Sequence, residues 1–352
     1  MIRKSRQISI GNVKIGGGAP ISVQSMTITD TRDIEATVNE IKKLEDAGCD
    51  IVRVAVPDMA AAKAIGKIKK QTGIPLISDI HFDYKLALEA VKQGVDGMRI
   101  NPGNIGAKYR IKAVVDAVKE KNIPIRIGVN SGSLEKDILN KHGSPTAEAL
   151  VESAIRHIRI LEDFNFHDIK ISVKSTDVRK MIEAYRLLAE KTDYPLHLGV
   201  TEAGTPKMGV VKSSIGIGSL LADGIGDTIR VSLTGDSVNE VITGINILKS
   251  IGIRNKGIEL ISCPGCGRLE IDLMKLVNDV EERVSGIELP RPVKVAILGC
   301  VVNGPGEASE ADIGIAGGKG KGVLYKDGKL LRSFKEKDIV DELVKEIETF
   351  AN

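Results

Sequence analysis

Three cysteines and a glutamate in the last third of the chain carry its most specific chemistry. Cys263 and Cys266 stand three residues apart in CPGCGR, a spacing that lets two thiolates reach one metal centre from a single turn. Cys300 ends a β-branched run and is followed by NGPGE, which contains Asn303 and Glu307. A C-x-x-C turn with one distant cysteine supplies three ligands of four, which fits either a structural zinc or an iron–sulfur cluster. No histidine occurs after His197, so the fourth ligand falls to a carboxylate, and Glu307 is the nearest acid after Cys300 on a Gly/Pro-constrained loop. Structural zinc prefers nitrogen and sulfur ligands, so an oxygen ligand favours the cluster. It would also leave one iron more labile and oxophilic, as suits a site where substrate meets metal. Cys49 closes a helix just before a buried strand and reads as a core residue.

A second set is cationic. Arg53, Arg99, Arg126, Lys174 and Arg230 each lie on or at the end of a short β-branched run, accompanied by Asp79, His81, Asn101, Asn130, Glu202 and Ser232. Buried guanidinium groups are costly without an anion, and arginine's fork matches phosphate oxygens in pairs. The strand ends offer Asp79 and Glu202 as their acids, too few to neutralise every cation, so the set predicts a site for a diphosphate-sized anion. Glu202, in LGVTEAG, is flanked by small residues. Facing such a site, repulsion and burial would favour its protonated form and suit it to proton transfer. His81 reads equally as substrate-facing or as a loop hydrogen-bonder. His142, His157 and His167 read as solvated, and His197 as a satisfied core residue.

The elements that must position these groups alternate. Strand-like runs at 21–26, 51–56, 75–80, 97–101, 124–129, 168–173, 195–200 and 228–233 are separated by amphipathic segments such as 33–48 and 146–164. Gly48, Gly73 and Gly94 supply helix stops. Eight such units predict a parallel sheet closed into a (β/α)8 barrel, whose chemistry sits at the C-terminal strand ends. A doubly wound open sheet is the alternative, and no Gly-x-Gly-x-x-Gly follows the first strand to support it. After about residue 255 the alternation lapses. A strand in GIELIS, a helix over 269–286 stopped by Gly286, a strand over 293–300, short strands near 313–316 and 322–326, and a helix over 335–350 predict a small α+β domain. The expected division is 1–254, a substrate-binding barrel, and 255–352, a cluster-binding domain.

Composition narrows the function. With 352 residues, 42% hydrophobic, 28% charged and a formal net charge of +3, the chain has no field to attract nucleic acid or a membrane surface. Aromatic residues are 3% and Trp is absent, so base-stacking platforms are not expected. The N-terminus lacks a secretory apolar run and no stretch is long enough for a membrane helix, which predicts a cytoplasmic protein.

Through CPGCGR, GCVVNGPGEASEADIG, MRINPGNIG, IRIGVNSGSLE, LHLGVTEAG and VKSSIGIG, the chain closely resembles the bacterial 4-hydroxy-3-methylbut-2-enyl diphosphate synthases of the methylerythritol phosphate route to isoprenoids. The likeness runs from Gln24 to about Gly318. It implies reductive ring opening and dehydroxylation of 2-C-methyl-D-erythritol 2,4-cyclodiphosphate with electrons from a flavodoxin or ferredoxin. It further implies a [4Fe–4S] cluster on Cys263, Cys266, Cys300 and Glu307, and a diphosphate carried on Arg53, Arg99, Arg126, Lys174 and Arg230 with Ser232 nearby. Glu202 and Asn303 correspond to the family's catalytic glutamate and asparagine. A head-to-tail homodimer is implied as well. Two departures, Gly265 between the cysteines and TGDS at 234–237, touch none of the proposed ligands.

Overall fold

The computed structural model describes residues 2–254, 257–284, 287 and 289–351. The chain divides into two compact units, Met1–Arg254 and Asn255–Asn352. In the first, a hairpin of β1 (Ile8–Ile10) and β2 (Val13–Ile15) precedes eight parallel strands. These are β3 (Ser22–Met26), β4 (Ile51–Ala55), β5 (Leu76–Asp79), β6 (Gly97–Ile100), β7 (Ile125–Asn130), β8 (Ile169–Lys174), β9 (His197–Leu198) and β10 (Thr228–Ile229). Neighbours pair in the order β8-β7-β6-β5-β4-β3-β10-β9. A parallel bridge between Ile171 and Leu196, with the Ile171 N–H donating to the Pro195 carbonyl at 2.9 Å, closes the ring between β8 and β9. The predicted barrel is present, but its last two strands are much shorter than their apolar runs.

Helices form between strands because each has an apolar face and a capped start. Asp33, Asp58, Asp83, Thr146, Asp177 and Asp236 each accept a first-turn backbone N–H. The helix predicted over 33–48 runs Ile34–Asp46, and that over 146–164 runs Ala147–Glu162. Gly48 and Gly94 follow their helices at positive φ, +89° and +83°. Gly73 differs. Its helix has already ended at Lys70, and a Cβ there would lie 2.3 Å from the Glu45 carboxylate, which would have to swing aside. At the N-terminal end of the barrel, Ile8, Ile10 and Ile15 of the hairpin pack on Ile51 and Ile77. That apolar plug leaves polar residues to fill the interior nearer the mouth.

The second unit has a five-stranded sheet, β11 (Ile258–Ser262), β12 (Val293–Leu298), β13 (Ile313–Gly318), β14 (Lys321–Lys326) and β15 (Lys329–Lys335), hydrogen-bonded in that order. The first three are parallel and still alternate with helices Leu273–Val284 and Gly304–Ser309, so the βα pattern persists further than the sequence suggested. The last three are antiparallel. The C-terminal helix expected over 335–350 runs Ile339–Glu348, and strand β15 was not expected. Its run of charged residues masked the strand, because β15 is a largely exposed edge. The proposed stop at Gly286 lies outside the described residues. Among the described residues no helix is long and apolar enough to cross a membrane.

Candidate active site

All nine barrel residues proposed to touch substrate line one cavity of about 140 Å³ at the C-terminal strand ends: Arg53, Asp79, His81, Arg99, Arg126, Asn130, Lys174, Arg230 and Ser232, joined by Thr201. Strand parity explains the convergence. Residues two apart share a face, so Arg53, Arg99, Arg126 and Lys174 all point inward from their strands.

Each arginine is held differently. Arg99 donates from Nη1 to Asp79 Oδ1 at 2.9 Å and meets His81 Nε2 at 2.8 Å. Arg53 lies 3.6 Å from the other Asp79 oxygen and donates from Nε to the Met26 sulfur at 3.2 Å. Burial works against an ionised Asp79, yet Arg53, Arg99 and Arg126 outweigh it and hold the carboxyl well below its usual range. Asp79 is thus a shared counter-ion that fixes two guanidinium groups. Arg230 pairs with Glu240 at 3.3 Å, and Glu240 also accepts from Ser25 Oγ at 3.0 Å and Leu233 N–H at 3.0 Å.

Arg126 and Lys174 have no such support. Among the described residues neither has a carboxylate within 4.0 Å. Arg126, 3% exposed, donates from Nη1 to Ser172 Oγ at 2.8 Å and leaves Nε without a partner. Burial and the neighbouring cations push both Arg126 and Lys174 well below their ordinary pKa values. Burial likewise lowers Arg53 to about 10. A cavity walled by cations with too few anions is suited to an anionic ligand.

Two expectations need correction. The count of acids at the strand ends missed Glu240, which enters from helix Ser237–Ser250 and has no strand-end signal. Glu202 is exposed, on a loop with φ of +51°, so the burial invoked for it is absent. Other residues went unrecognised. Glycines at 128 and 199 leave room for the cations, since a Cβ at Gly128 would lie 2.5 Å from Arg99 Nε and one at Gly199 would lie 2.6 Å from Lys174 Nζ. Lys170 shares the parity of Lys174 in IKISVK and is buried inside the barrel. That alternation was the available signal.

The histidines also redistribute. His157 is buried, not solvated, and its Nε2 lies 2.9 Å from Glu135 Oε1. His197 is in the core as expected, but both ring nitrogens lack hydrogen-bond partners. His167 is exposed as expected and meets the Tyr194 hydroxyl at 3.0 Å, while His142 is only partly exposed and meets Glu152 at 2.9 Å. Cys49 is buried, with its thiol pushed up to about 12 by burial.

In the second unit, Cys263 and Cys300 follow the C-terminal ends of adjacent strands β11 and β12. Cys266 sits on the next turn, where Gly265 adopts φ of +78°. Glu307 is on helix Gly304–Ser309 and not on an irregular loop, with Asn303 just before that helix; both side chains are exposed. The Gly299 N–H donates to Cys263 Sγ at 3.4 Å, and the N–H groups of Asn303 and Val302 draw the Cys300 thiol below its ordinary pKa. Backbone donors aimed at sulfur favour thiolate ligands. Among the described residues no three Cys, His, Asp or Glu side chains stand close enough to hold one metal ion. A multi-iron cluster binds each ligand at a different iron, so its donors stand wider apart than those of a single ion. Four donors issuing from one end of a sheet fit such a group.

Comparison with known proteins agrees across both units. Residues 5–245 match the GcpE TIM-barrel domain family and residues 259–349 the GcpE protein C-terminal domain family. A 4-hydroxy-3-methylbut-2-en-1-yl diphosphate synthase (flavodoxin) of Clostridium perfringens is 60% identical over 347 residues, covering 99% of both chains. The Geobacter sulfurreducens protein of the same name is 58% identical, covering 99% of this chain and 98% of its own. Among solved structures, a dihydropteroate synthase of Xanthomonas albilineans superposes with a TM-score of 0.50 at 16% identity, covering 70% of this chain and 97% of that one. That last likeness is one of fold alone.

Proposed function

The chain belongs to the GcpE family of 4-hydroxy-3-methylbut-2-en-1-yl diphosphate synthases, and from that premise we propose which of its residues carry out each part of the reaction. The enzyme is an oxidoreductase of isoprenoid precursor synthesis that reductively opens and dehydroxylates 2-C-methyl-D-erythritol 2,4-cyclodiphosphate. The diphosphate is held by Arg53, Arg99, Arg126, Lys174 and Arg230. The observation that carries this reading is their convergence on one cavity with Asp79 and Glu240 as the counter-ions. Asp79 and Glu240 keep three guanidinium forks aimed before ligand arrives, so little reorganisation is needed on binding. Ser172 does the same for Arg126. Asn130, Ser232, Thr201 and half-exposed His81 complete the wall with neutral donors and acceptors.

Cys263, Cys266, Cys300 and Glu307 would hold a [4Fe–4S] cluster, supported by the thiol-directed N–H groups and the common origin of the four donors. Such a cluster, when bound, passes electrons one at a time to the carbon–oxygen bond under reduction. The electron donor is a flavodoxin, the carrier in the names of the relatives, with ferredoxin the alternative carrier. Glu202 delivers the proton that turns the departing hydroxide into water. Its exposure lets it reload from solvent, and its loop leads directly from the wall residue Thr201. Asn303 orients groups beside Cys300 from the turn that follows it. A head-to-tail homodimer and a cytoplasmic location complete the proposal.

Anaerobic reconstitution with iron and sulfide, followed by the cyclic diphosphate and reduced flavodoxin, tests the assignment. Visible absorption and substrate-dependent oxidation of flavodoxin are expected, and colourless protein with full turnover would overturn the cluster ligands. Glu202→Gln should bind the cyclic diphosphate normally but turn over at least about tenfold more slowly, within the usual worth of a positioned acid. Unchanged turnover removes Glu202 from proton delivery.

A further inference from the structure

Below the cavity the barrel interior contains an ionisable group that the proposed chemistry does not use. Lys170 is 1% exposed, and its Nζ has one hydrogen-bond partner among the described residues, Gln24 Oε1 at 3.5 Å. Lys170 lies four residues before Lys174 on β8, about 13 Å further from the mouth along the strand, and it does not line the cavity. Its surroundings cannot neutralise a charge. Arg126 is its cross-strand partner on β7, Gln24 reaches in from β3, Arg53 acts on it from β4, and Lys174 stands above it. On the β9 side, where Leu196 bridges Ile171, His197 follows with both ring nitrogens unpartnered. Gln24 Nε2 and Arg126 Nε are buried without partners as well. Among the described residues the buried carboxylates Asp79 and Glu240 are already engaged by Arg53, Arg99 and Arg230.

We propose that Lys170 is a charge reserve for the diphosphate site, resting as a neutral amine and taking a proton from solvent when an anion settles on the cations above it. The inference rests on the reading of the barrel mouth as a diphosphate site. Its logic is electrostatic. An unpaired ammonium this deeply buried is too costly to persist beside Arg126 and Arg53, and lysine, unlike arginine, can shed its proton. Burial first, then Arg126 and Arg53, displace Lys170 downward in the same sense. A bound diphosphate lowers the local positive potential, so the amine lone pair takes a proton from a solvent hydronium ion, whose O–H bond breaks to leave water, with no change of oxidation state. Opening the cyclic diphosphate frees a phosphate oxygen and adds negative charge, which holds that proton in place through the reaction. Lys174 contacts the ligand directly; Lys170 responds to it through the field.

Calorimetric titration of the full-length holoprotein with inorganic diphosphate, in buffers of different ionisation enthalpy, reads proton uptake directly. The wild type should take up protons on binding. Lys170→Met should bind within about tenfold of the wild-type Kd yet lose roughly half or more of the uptake. Lys170→Arg, which keeps a cation that cannot deprotonate, should lose it likewise and serves if the methionine variant does not fold. Wild-type binding without uptake, or undiminished uptake in either variant, overturns the assignment and places the proton on Lys174 or His197 in the second case. Failure of the wild type to bind diphosphate at all overturns the reading of the mouth, and this inference with it.

Discussion

The barrel mouth and the cysteine-bearing end of the second sheet are both built at the C-terminal edge of parallel strands, but they are prepared for their ligands in opposite ways. In the barrel, charged side chains are buried and held by other side chains, Asp79 between Arg53 and Arg99 and Glu240 on Arg230. At the sheet end, the donors are half-buried or exposed, and backbone N–H groups address the sulfurs. The difference follows from what each is proposed to bind. Buried cations are costly without counter-ions, so Arg53, Arg99 and Arg230 are paired before any ligand comes, while Arg126 and Lys174 are left without a carboxylate. Thiols can stand at the surface without counter-ions, and the proposed cluster would itself bring them together.

The largest expected effect separates the two regions altogether. Cys300→Ser should lose bound iron and at least about a hundredfold in turnover, while diphosphate binding, read by calorimetry, stays as in the wild type. Loss of both together would mean that the two regions are not independent. Asp79→Asn should destabilise the barrel by about 3–5 kcal/mol, since two buried guanidinium groups lose their shared partner; thermal unfolding measures it, and a change near zero would remove Asp79 as their anchor. The same carboxyl is held below its unfolded value. Its stabilisation is therefore complete above pH about 4 and is lost as the pH falls below that, a slope that Asp79→Asn should flatten.

Arg230→Met should raise KM about ten- to a hundredfold, the worth of a charge-assisted contact. It should also destabilise the fold by leaving Glu240 buried alone. Adding Glu240→Gln should return part of the stability but none of the affinity, and recovered affinity would place Arg230 off the ligand. The smallest effect is expected at His157, which is buried against Glu135 under the loop that follows β7. His157→Gln should cost about 1–2 kcal/mol of stability with diphosphate affinity little changed. A large loss of affinity would show that this loop, which begins beyond Asn130, is positioned from below.

Legibility varied with how local the cause was. Arg53, Arg99, Arg126 and Lys174 could be placed from strand parity, because a period of two fixes which face a residue joins. Lys170 obeyed the same parity and could have been placed with them. Glu240 could not, since it sits on a helix whose rotation toward the barrel depends on packing against β3. His157 looked like a helix-surface residue until the loops after β6 and β7 covered it; a Cβ at Gly103 would lie 2.7 Å from its Nε2. Strand β15 was hidden because an exposed edge tolerates charged residues and lacks the buried-exposed alternation that marks a strand.

From the residues alone came the eight-unit alternation, the inward-facing cations and the C-x-x-C turn with its distant third cysteine, all properties of spacing along one chain. Tertiary structure alone decided which carboxylates neutralise which arginines, left Lys170 without a carboxylate partner and left both His197 ring nitrogens without hydrogen bonds among the described residues. It also moved Glu307 from a supposed loop onto a helix beside the cysteine strands. The physical reason is that periodicity fixes where a side chain points, whereas its charge balance and solvation depend on every element packed around it.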